Sequence, residues 1–326
     1  MPIFRCNKCG HLAEMAGAVA GTALNCPQCG QANPVYDTTF FVKKLLDKYF
    51  ALQAAQKRMQ TESQDPPTPT GTKNLEGVNL FNTELIASDL QHGPILDWFT
   101  ARKVKIRPNH KAVDTTGFFD EVAVELGTNY ELLKSVVEPI RQAQRIGKPG
   151  IYLNLNKYSQ KEAQLLTTFC RRLYDYAFVA KYFYQKEQKT IQMTLQSSQQ
   201  IQQFFNGEWL EWYALMQVLE FSQKQRLDIS CTRNLSVVFA NEDLHELDVF
   251  LILNQNKPVC IECKTGEFRP SIEKYATLRK RLGLEKAQFI LCVLGLPDEQ
   301  ASGLSSMYDL TFVNEQSLTP HLMKLI

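Results

Sequence analysis

Apolar residues recur at helical spacing over residues 38–60, at Phe41, Leu45, Leu46, Tyr49 and Leu52, with Thr38 placed to cap the run. Residues 61–73 then carry Pro, Thr and Ser with no apolar face, which predicts a flexible linker. The same helical period marks residues 82–100, 130–145 and 159–176, and the last opens on Ser159-Gln160-Lys161-Glu162, the sequence of a capping box. Residues 179–196 switch to two β-rich runs around the polar turn Gln185-Lys186-Glu187-Gln188, which predicts a hairpin. Further on, a helix is expected over 204–221 and strands over 227–240, 245–255 and 257–266. A helix over 271–283 and strands over 287–296 and 309–314 complete the pattern.

These elements predict an α/β chain of the α+β type in four parts. Residues 1–36 form a small loop-rich module, and 37–73 a helix with the Pro/Thr-rich linker. Residues 74–200 form a mostly helical unit whose order of helix, helix and hairpin is similar to a winged helix. Residues 201–326 form a unit with a central mixed sheet flanked by helices.

Charge narrows the choice of partner. Thirty-six Lys and Arg against 34 Asp and Glu leave a formal charge of +2, so any nucleic-acid surface must be a local patch. No apolar run approaches the roughly 18 residues of a membrane span, and the opening MPIFRCNKCG has no charged-then-apolar leader, so a cytoplasmic location is expected. Nine cysteines, an odd number, argue against a disulfide framework.

Four of those cysteines form two C-x-x-C pairs, Cys6/Cys9 and Cys26/Cys29, separated by 16 residues. Two such turns complete a tetrahedral shell of four thiolates, and Gly10 and Gly30 suit the tight backbone beyond each ligating turn. The segment resembles the zinc-ribbon family and implies structural Zn²⁺; a module this small lacks the core to fold without metal. Its few basic residues suit a scaffold or docking platform, and His11 beside the first pair is expected to be an ordinary surface residue.

The stretch 246–266, ELDVFLILNQNKPVCIECKTG, places two apolar strands around Asn254-Gln255-Asn256. In a hairpin centred on Gln255, Asp248 lies opposite Glu262, and alternation puts Lys264 on the same face and Cys263 on the other. Two opposed carboxylates repel each other unless a cation sits between them, and a hard ion such as Mg²⁺ or Mn²⁺ supplies that charge. Asp248 followed by Glu262-Cys263-Lys264 is similar to the PD-(D/E)xK nuclease superfamily, with the restriction-endonuclease-like fold. Glu211, on the helix before the strands, matches the extra acid often found there.

Together with Gly207-x-Trp209-Leu210-Glu211 and Leu278–Gly283, the motif looks like the nuclease half of ancillary CRISPR effectors activated by cyclic oligoadenylates, over residues 200–300. Those effectors carry a Rossmann-like sensing domain in front. Here a zinc ribbon and a helical unit stand in its place, so that activation is not carried over. The resemblance implies Mg²⁺ or Mn²⁺ on Asp248, Glu262 and the backbone carbonyl of Cys263, with Glu211 completing the shell directly or through water and Glu208 as a weaker substitute. Lys264 positions or helps deprotonate the attacking water. The implied activity is a metal-dependent endonuclease acting on DNA in preference to RNA, in antiviral defence, with partner proteins of a defence system and a homodimer expected.

Two basic clusters are available for phosphates: Arg102, Lys103, Lys105, Arg107 and Lys111, and Arg279, Lys280 and Arg281 on the helix after the carboxylate strands. Arg171, Arg172, Lys181, Lys186 and Lys189 would add contacts if the middle unit is a winged helix. His245, three residues before Asp248, is expected at a strand edge. The alternatives left open are a non-catalytic nucleic-acid or protein adaptor with a degenerate nuclease fold, and a nuclease for single-stranded DNA or RNA.

Overall fold

The computed structural model describes residues 2–38, 42–44, 75, 78–81, 89–108, 116–239 and 243–326. Most of the helix expected over 38–60, the linker, residues 82–88 of the helix expected over 82–100, and Lys111 lie outside the described residues.

Four short strands come first: β1 (Ile3–Arg5), β2 (Leu12–Glu14), β3 (Ala23–Asn25) and β4 (Ala32–Tyr36). Next are α1 (Asp89–Ala101), β5 (Lys105–Arg107), α2 (Phe118–Thr128), α3 (Tyr130–Ile146), β6 (Gly150–Asn154), α4 (Gln160–Asp175), β7 (Val179–Gln185), β8 (Thr190–Leu195) and α5 (Gln199–Gln203). The C-terminal third holds α6 (Trp209–Lys224), β9 (Ile229–Val238), β10 (Leu244–Leu253), β11 (Lys257–Lys264), α7 (Ile272–Leu282), β12 (Phe289–Val293), α8 (Asp298–Met307), β13 (Thr311–Val313) and α9 (Leu318–Met323). No helix among the described residues is long and apolar enough to cross a membrane.

The chain forms two compact units: residues 1–56 with 129–208, and residues 57–128 with 209–326. The stretch 74–200 is therefore shared between them, α1, β5 and α2 belonging with the C-terminal sheet.

In the first unit, β2-β1-β4-β3 makes a four-stranded antiparallel sheet around the cysteine turns. A second sheet, β6-β8-β7, lies against α3 and α4, and Ile151, Ile191, Met193, Val136 and Phe169 are buried. α4 starts where its sequence says it should. Ser159 Oγ accepts from the Glu162 amide and Glu162 returns the bond to the Ser159 amide at 2.8 Å, closing the capping box. The turn at Gly21 (φ 87°) lies so close to the backbone of Ala180 that an added Cβ would stand 2.9 Å from its carbonyl oxygen. Only glycine fits there.

In the second unit the sheet order is β13-β12-β11-β10-β9-β5. β5, β9, β10 and β11 pair antiparallel in succession, whereas β12 pairs parallel with β11 and β13 parallel with β12. This is the mixed sheet flanked by helices that the sequence predicts. Leu247, Phe250, Ile252, Phe289 and Leu291 pack with Leu278 and Leu282 of α7 and with Ile95 and Phe99 of α1 in one core. α6 covers the other face, where Leu210 accepts from the Cys263 thiol. α2 and α6 meet at Gly127, where an added Cβ would stand 2.3 Å from the Tyr213 ring.

One boundary differs from expectation. The helix predicted over 204–221 is interrupted by a π-type turn at Phe204–Glu208, in which Gly207 has φ 145°, and α6 begins at Trp209. Asn206-Gly207 inside an apolar run is a breaker signal that the helical period hides.

Candidate active site

The hairpin β10–β11 turns through Asn254 (φ 46°) and Gln255 (φ 64°), both in the left-handed region. It pairs Leu253 with Lys257 and continues to Val249 opposite Ile261, the register centred on Gln255. The ladder stops there. On the other side of β10, Leu247 pairs with Leu235 and Val249 with Arg233, which leaves Asp248 and Asn234 between them, the latter left-handed at φ 53°. Leu247 lies in the same core as Phe250 and Ile252, so regular alternation slips by one residue at Asp248. Instead of standing in simple opposition to Glu262, Asp248 reaches β11 with its carboxylate: Oδ2 accepts the Cys263 amide at 2.7 Å and lies 3.6 Å from Nζ of Lys264.

Glu262 is 2% exposed, and its Oε1 has no hydrogen-bond partner. Burial pushes its carboxyl well above the usual carboxylate range and the Asp248 charge adds to the shift, with Lys264, the Asp248 amide and the Tyr275 hydroxyl pulling the other way. Burial would lower the Lys264 ammonium, but Asp248, the Tyr275 hydroxyl and Glu262 together raise it above its ordinary value. Tyr275 of α7 closes the group, its ring 5.4 Å from Nζ of Lys264. Burial, with Glu262 adding, raises its hydroxyl to about 12. Asp248, Glu262 and Lys264 are thus brought together, and Tyr275 is a member that sequence reasoning missed; it sits 11 residues past Lys264, with no motif to mark it.

Glu211 is placed otherwise. Its Oε2 is 3.0 Å from the Arg233 guanidinium, which is 5% exposed and stacks 3.9 Å from the centre of the Trp212 ring. Arg233 pairs with Val249, on the sheet face that α6 covers, whereas Glu262 and Lys264 face α7. Among the described residues, the four N-terminal cysteines are the one group of three or more acidic, His or Cys side chains close enough to share an ion. Glu211 is therefore held in the Arg233 ion pair and is not within direct reach of an ion shared with both Asp248 and Glu262. A buried arginine needs a counter-charge, and Glu211 supplies it.

The Cys263 side chain lies on the α6 face, its thiol 3.7 Å from the Leu210 carbonyl. The basic helix α7 is largely committed to its own protein. Arg279 donates to the Leu284 carbonyl at 2.7 Å and ion-pairs with Asp309. Arg281 pairs with Asp243 at 3.0 Å and stacks on Phe239. Lys280 is exposed. In the first cluster, Arg102 lies on Trp98, while Lys105 and Arg107 belong to the edge strand β5. His245 meets Phe239 edge-on, 3.5 Å from Arg281, and burial and that charge lower its pKa.

The cysteine cluster is built in duplicate. The Cys6 amide donates to the His11 carbonyl and the Cys26 amide to that of Gln31, while Gly10 and Gly30 (φ 75° and 70°) donate back to the Cys6 and Cys26 carbonyls. Sγ of Cys6 lies 3.4 Å from that of Cys29, and Cys9 3.6 Å from Cys26. A tetrahedral S₄ zinc site with Zn–S near 2.3 Å requires sulfurs about 3.8 Å apart, so the four thiols fit zinc. Burial opposes ionisation of Cys6, but the Cys9 and Lys8 amides and the neighbouring thiols outweigh it and lower its pKa to about 6. Asn33 donates to Sγ of Cys6 and accepts from the Asn7 amide, bracing the cluster from outside.

No protein-family model and no curated protein matches the chain. Among solved structures it is similar to protein VC1899 from Vibrio cholerae, with 20% identity and a TM-score of 0.47 over 71% of this chain and 60% of that one. It is also similar to Can2 from Sulfobacillus thermosulfidooxidans, solved in complex with cyclic tetra-adenylate, with 16% identity and a TM-score of 0.48 over the same shares. The chain thus spans less than two thirds of the length of either.

Proposed function

We propose that the chain is a divalent-metal-dependent nuclease of the PD-(D/E)xK type that hydrolyses phosphodiester bonds in DNA. The observation that carries this reading is Glu262: a buried carboxylate with an orphaned oxygen, beside a second carboxylate and a lysine. Such a group is costly unless it holds a proton or a cation, and Asp248 next to it makes a hard dication the better fit. Asp248 and Glu262 would hold Mg²⁺ or Mn²⁺, with the Cys263 carbonyl as the further candidate ligand. Such an ion, when bound, neutralises phosphate charge and lowers the pKa of its water.

The chain's own groups divide the remaining work. The raised pKa of Lys264 keeps it charged near neutrality, which suits orienting water and steadying the phosphate better than removing a proton. Tyr275 fixes the lysine through its hydroxyl and ring face. The Glu211–Arg233 pair braces α6 on β9, behind the site. Lys280 is the residue of the second basic cluster left to meet a phosphate backbone. A setting in defence against foreign DNA, with partner proteins and a homodimer, rests on the sequence resemblance.

The test is incubation of the purified chain with plasmid and with single-stranded circular DNA in Mg²⁺ or Mn²⁺, beside Asp248→Ala and Lys264→Ala. Cutting by the wild type alone is expected; equal cutting by all three would assign the activity to a contaminant.

A further inference from the structure

Among the described residues, the sheet β6-β8-β7 buries one face and leaves Tyr152, Phe183 and Gln192 of the other exposed. Ile151, Leu153, Ile191, Met193 and Leu195 point inward and are buried. On the outer face Gln192 pairs with both Tyr152 and Phe183, so the three form one cross-strand row. The two aromatics are 57% and 60% exposed. Adjacent rows hold Gly150, Thr194 and Lys181 on one side and Asn154, Thr190 and Gln185 on the other, where Thr190 is buried and donates to Gln185 at 3.2 Å. None of these nine positions is a carboxylate, and the hairpin tip adds exposed Lys186 and Lys189 against Glu187.

Exposed large apolar side chains normally occur singly. Here two rings flank an amide about 10 Å apart, the width of two strand spacings, which gives each ring room for a separate flat partner. The accessible neighbours are amides, the Thr194 hydroxyl and an ammonium, so the face offers stacking surfaces, hydrogen bonds for polar edges and positive charge together. A purely apolar partner would leave those polar rows unpaired, and a duplex hides the faces of its bases. We infer that this face binds single-stranded nucleic acid, Tyr152 and Phe183 each stacking a base, Gln192 meeting base edges and Lys181 a backbone phosphate. Its part in catalysis, holding the strand that the nuclease site cuts, rests on the function proposed above; the binding itself does not.

The experiment is fluorescence anisotropy with the full-length, zinc-loaded chain, without Mg²⁺ or Mn²⁺, using labelled oligo-dT, oligo-U and a blunt duplex. Both single strands bind more tightly than the duplex, and the two arms rank DNA against RNA. Tyr152→Ala and Phe183→Ala each weaken binding about tenfold, with unchanged melting temperature, while Tyr152→Phe and Phe183→Tyr retain it. Lys181→Ala lowers the slope of log affinity against log salt by about 0.7. Equal affinity of the wild type and the double alanine variant, or a preference for duplex, overturns the inference. Stacking-dependent binding without cleavage would uphold this face and remove the nuclease reading. Asp248-dependent cleavage with binding indifferent to both rings would do the reverse.

Discussion

The amide of Cys263 donates to Oδ2 of Asp248 at 2.7 Å, so one candidate ligand is fixed by the backbone of the strand that carries the other, Glu262. The slip of alternation at Asp248 makes this possible, turning its carboxylate towards the end of β11. Asp248→Asn keeps an oxygen acceptor for that amide and removes the charge. It is expected to melt within a few degrees of the wild type and to lose divalent-ion binding and cleavage. Asp248→Ala leaves the amide unpaired and is expected to cost about 1–3 kcal/mol in addition, measured by urea unfolding.

Glu262 makes stability depend on pH when Mg²⁺ and Mn²⁺ are absent. Its folded pKa is raised by burial and by Asp248 above the unfolded value of about 4.3. Its contribution is therefore fully present below that pH and is lost as pH rises towards its folded pKa. The melting temperature of the zinc-loaded wild type should fall from pH 5 to pH 8 relative to Glu262→Gln, and added Mg²⁺ should restore it. Parallel profiles for the two proteins would remove this assignment.

Arg233 and Glu211 form a buried pair, so deleting one partner exposes the cost of the other. Arg233→Ala should destabilise the fold by about 3–5 kcal/mol, whereas Arg233→Met with Glu211→Leu should recover most of that loss. If instead Glu211 is a metal ligand, Glu211→Gln will abolish cleavage with little change in melting.

The four cysteines predict one zinc per chain, measured by elemental analysis of the purified protein. Cys26→Ser should release that zinc and make residues 2–36 sensitive to protease, because the buried cluster that holds this module together is only Phe4, Val35, Cys6 and Cys26. Retention of stoichiometric zinc by Cys26→Ser with Cys6→Ser would contradict the assignment.

The parts of the fold that were legible in the sequence are those set by local pattern. Ser159 and Glu162 announce their cap, the paired C-x-x-C turns announce their cluster, and apolar runs around Asn254–Asn256 fix the hairpin register. What escaped depends on distant partners. Arg233 sits among Ser230, Cys231, Thr232 and Asn234 in a strand where nothing local reveals that Glu211, 22 residues earlier, will neutralise it. The left-handed Asn234 and the slip at Asp248 undo the strict alternation on which opposition to Glu262 was argued. The ion pairs of Arg279 with Asp309 and of Arg281 with Asp243 join residues 30 and 38 positions apart, which no local pattern announces. Tyr275 joins the carboxylates only because α7 folds back over β11.

The central claim is that Asp248 and Glu262 together hold a hard dication. Calorimetric titration of Mn²⁺ into the zinc-loaded chain tests it most directly. Binding by the wild type that disappears in both Glu262→Gln and Asp248→Asn is the predicted result. The same heat and stoichiometry in all three proteins would contradict it.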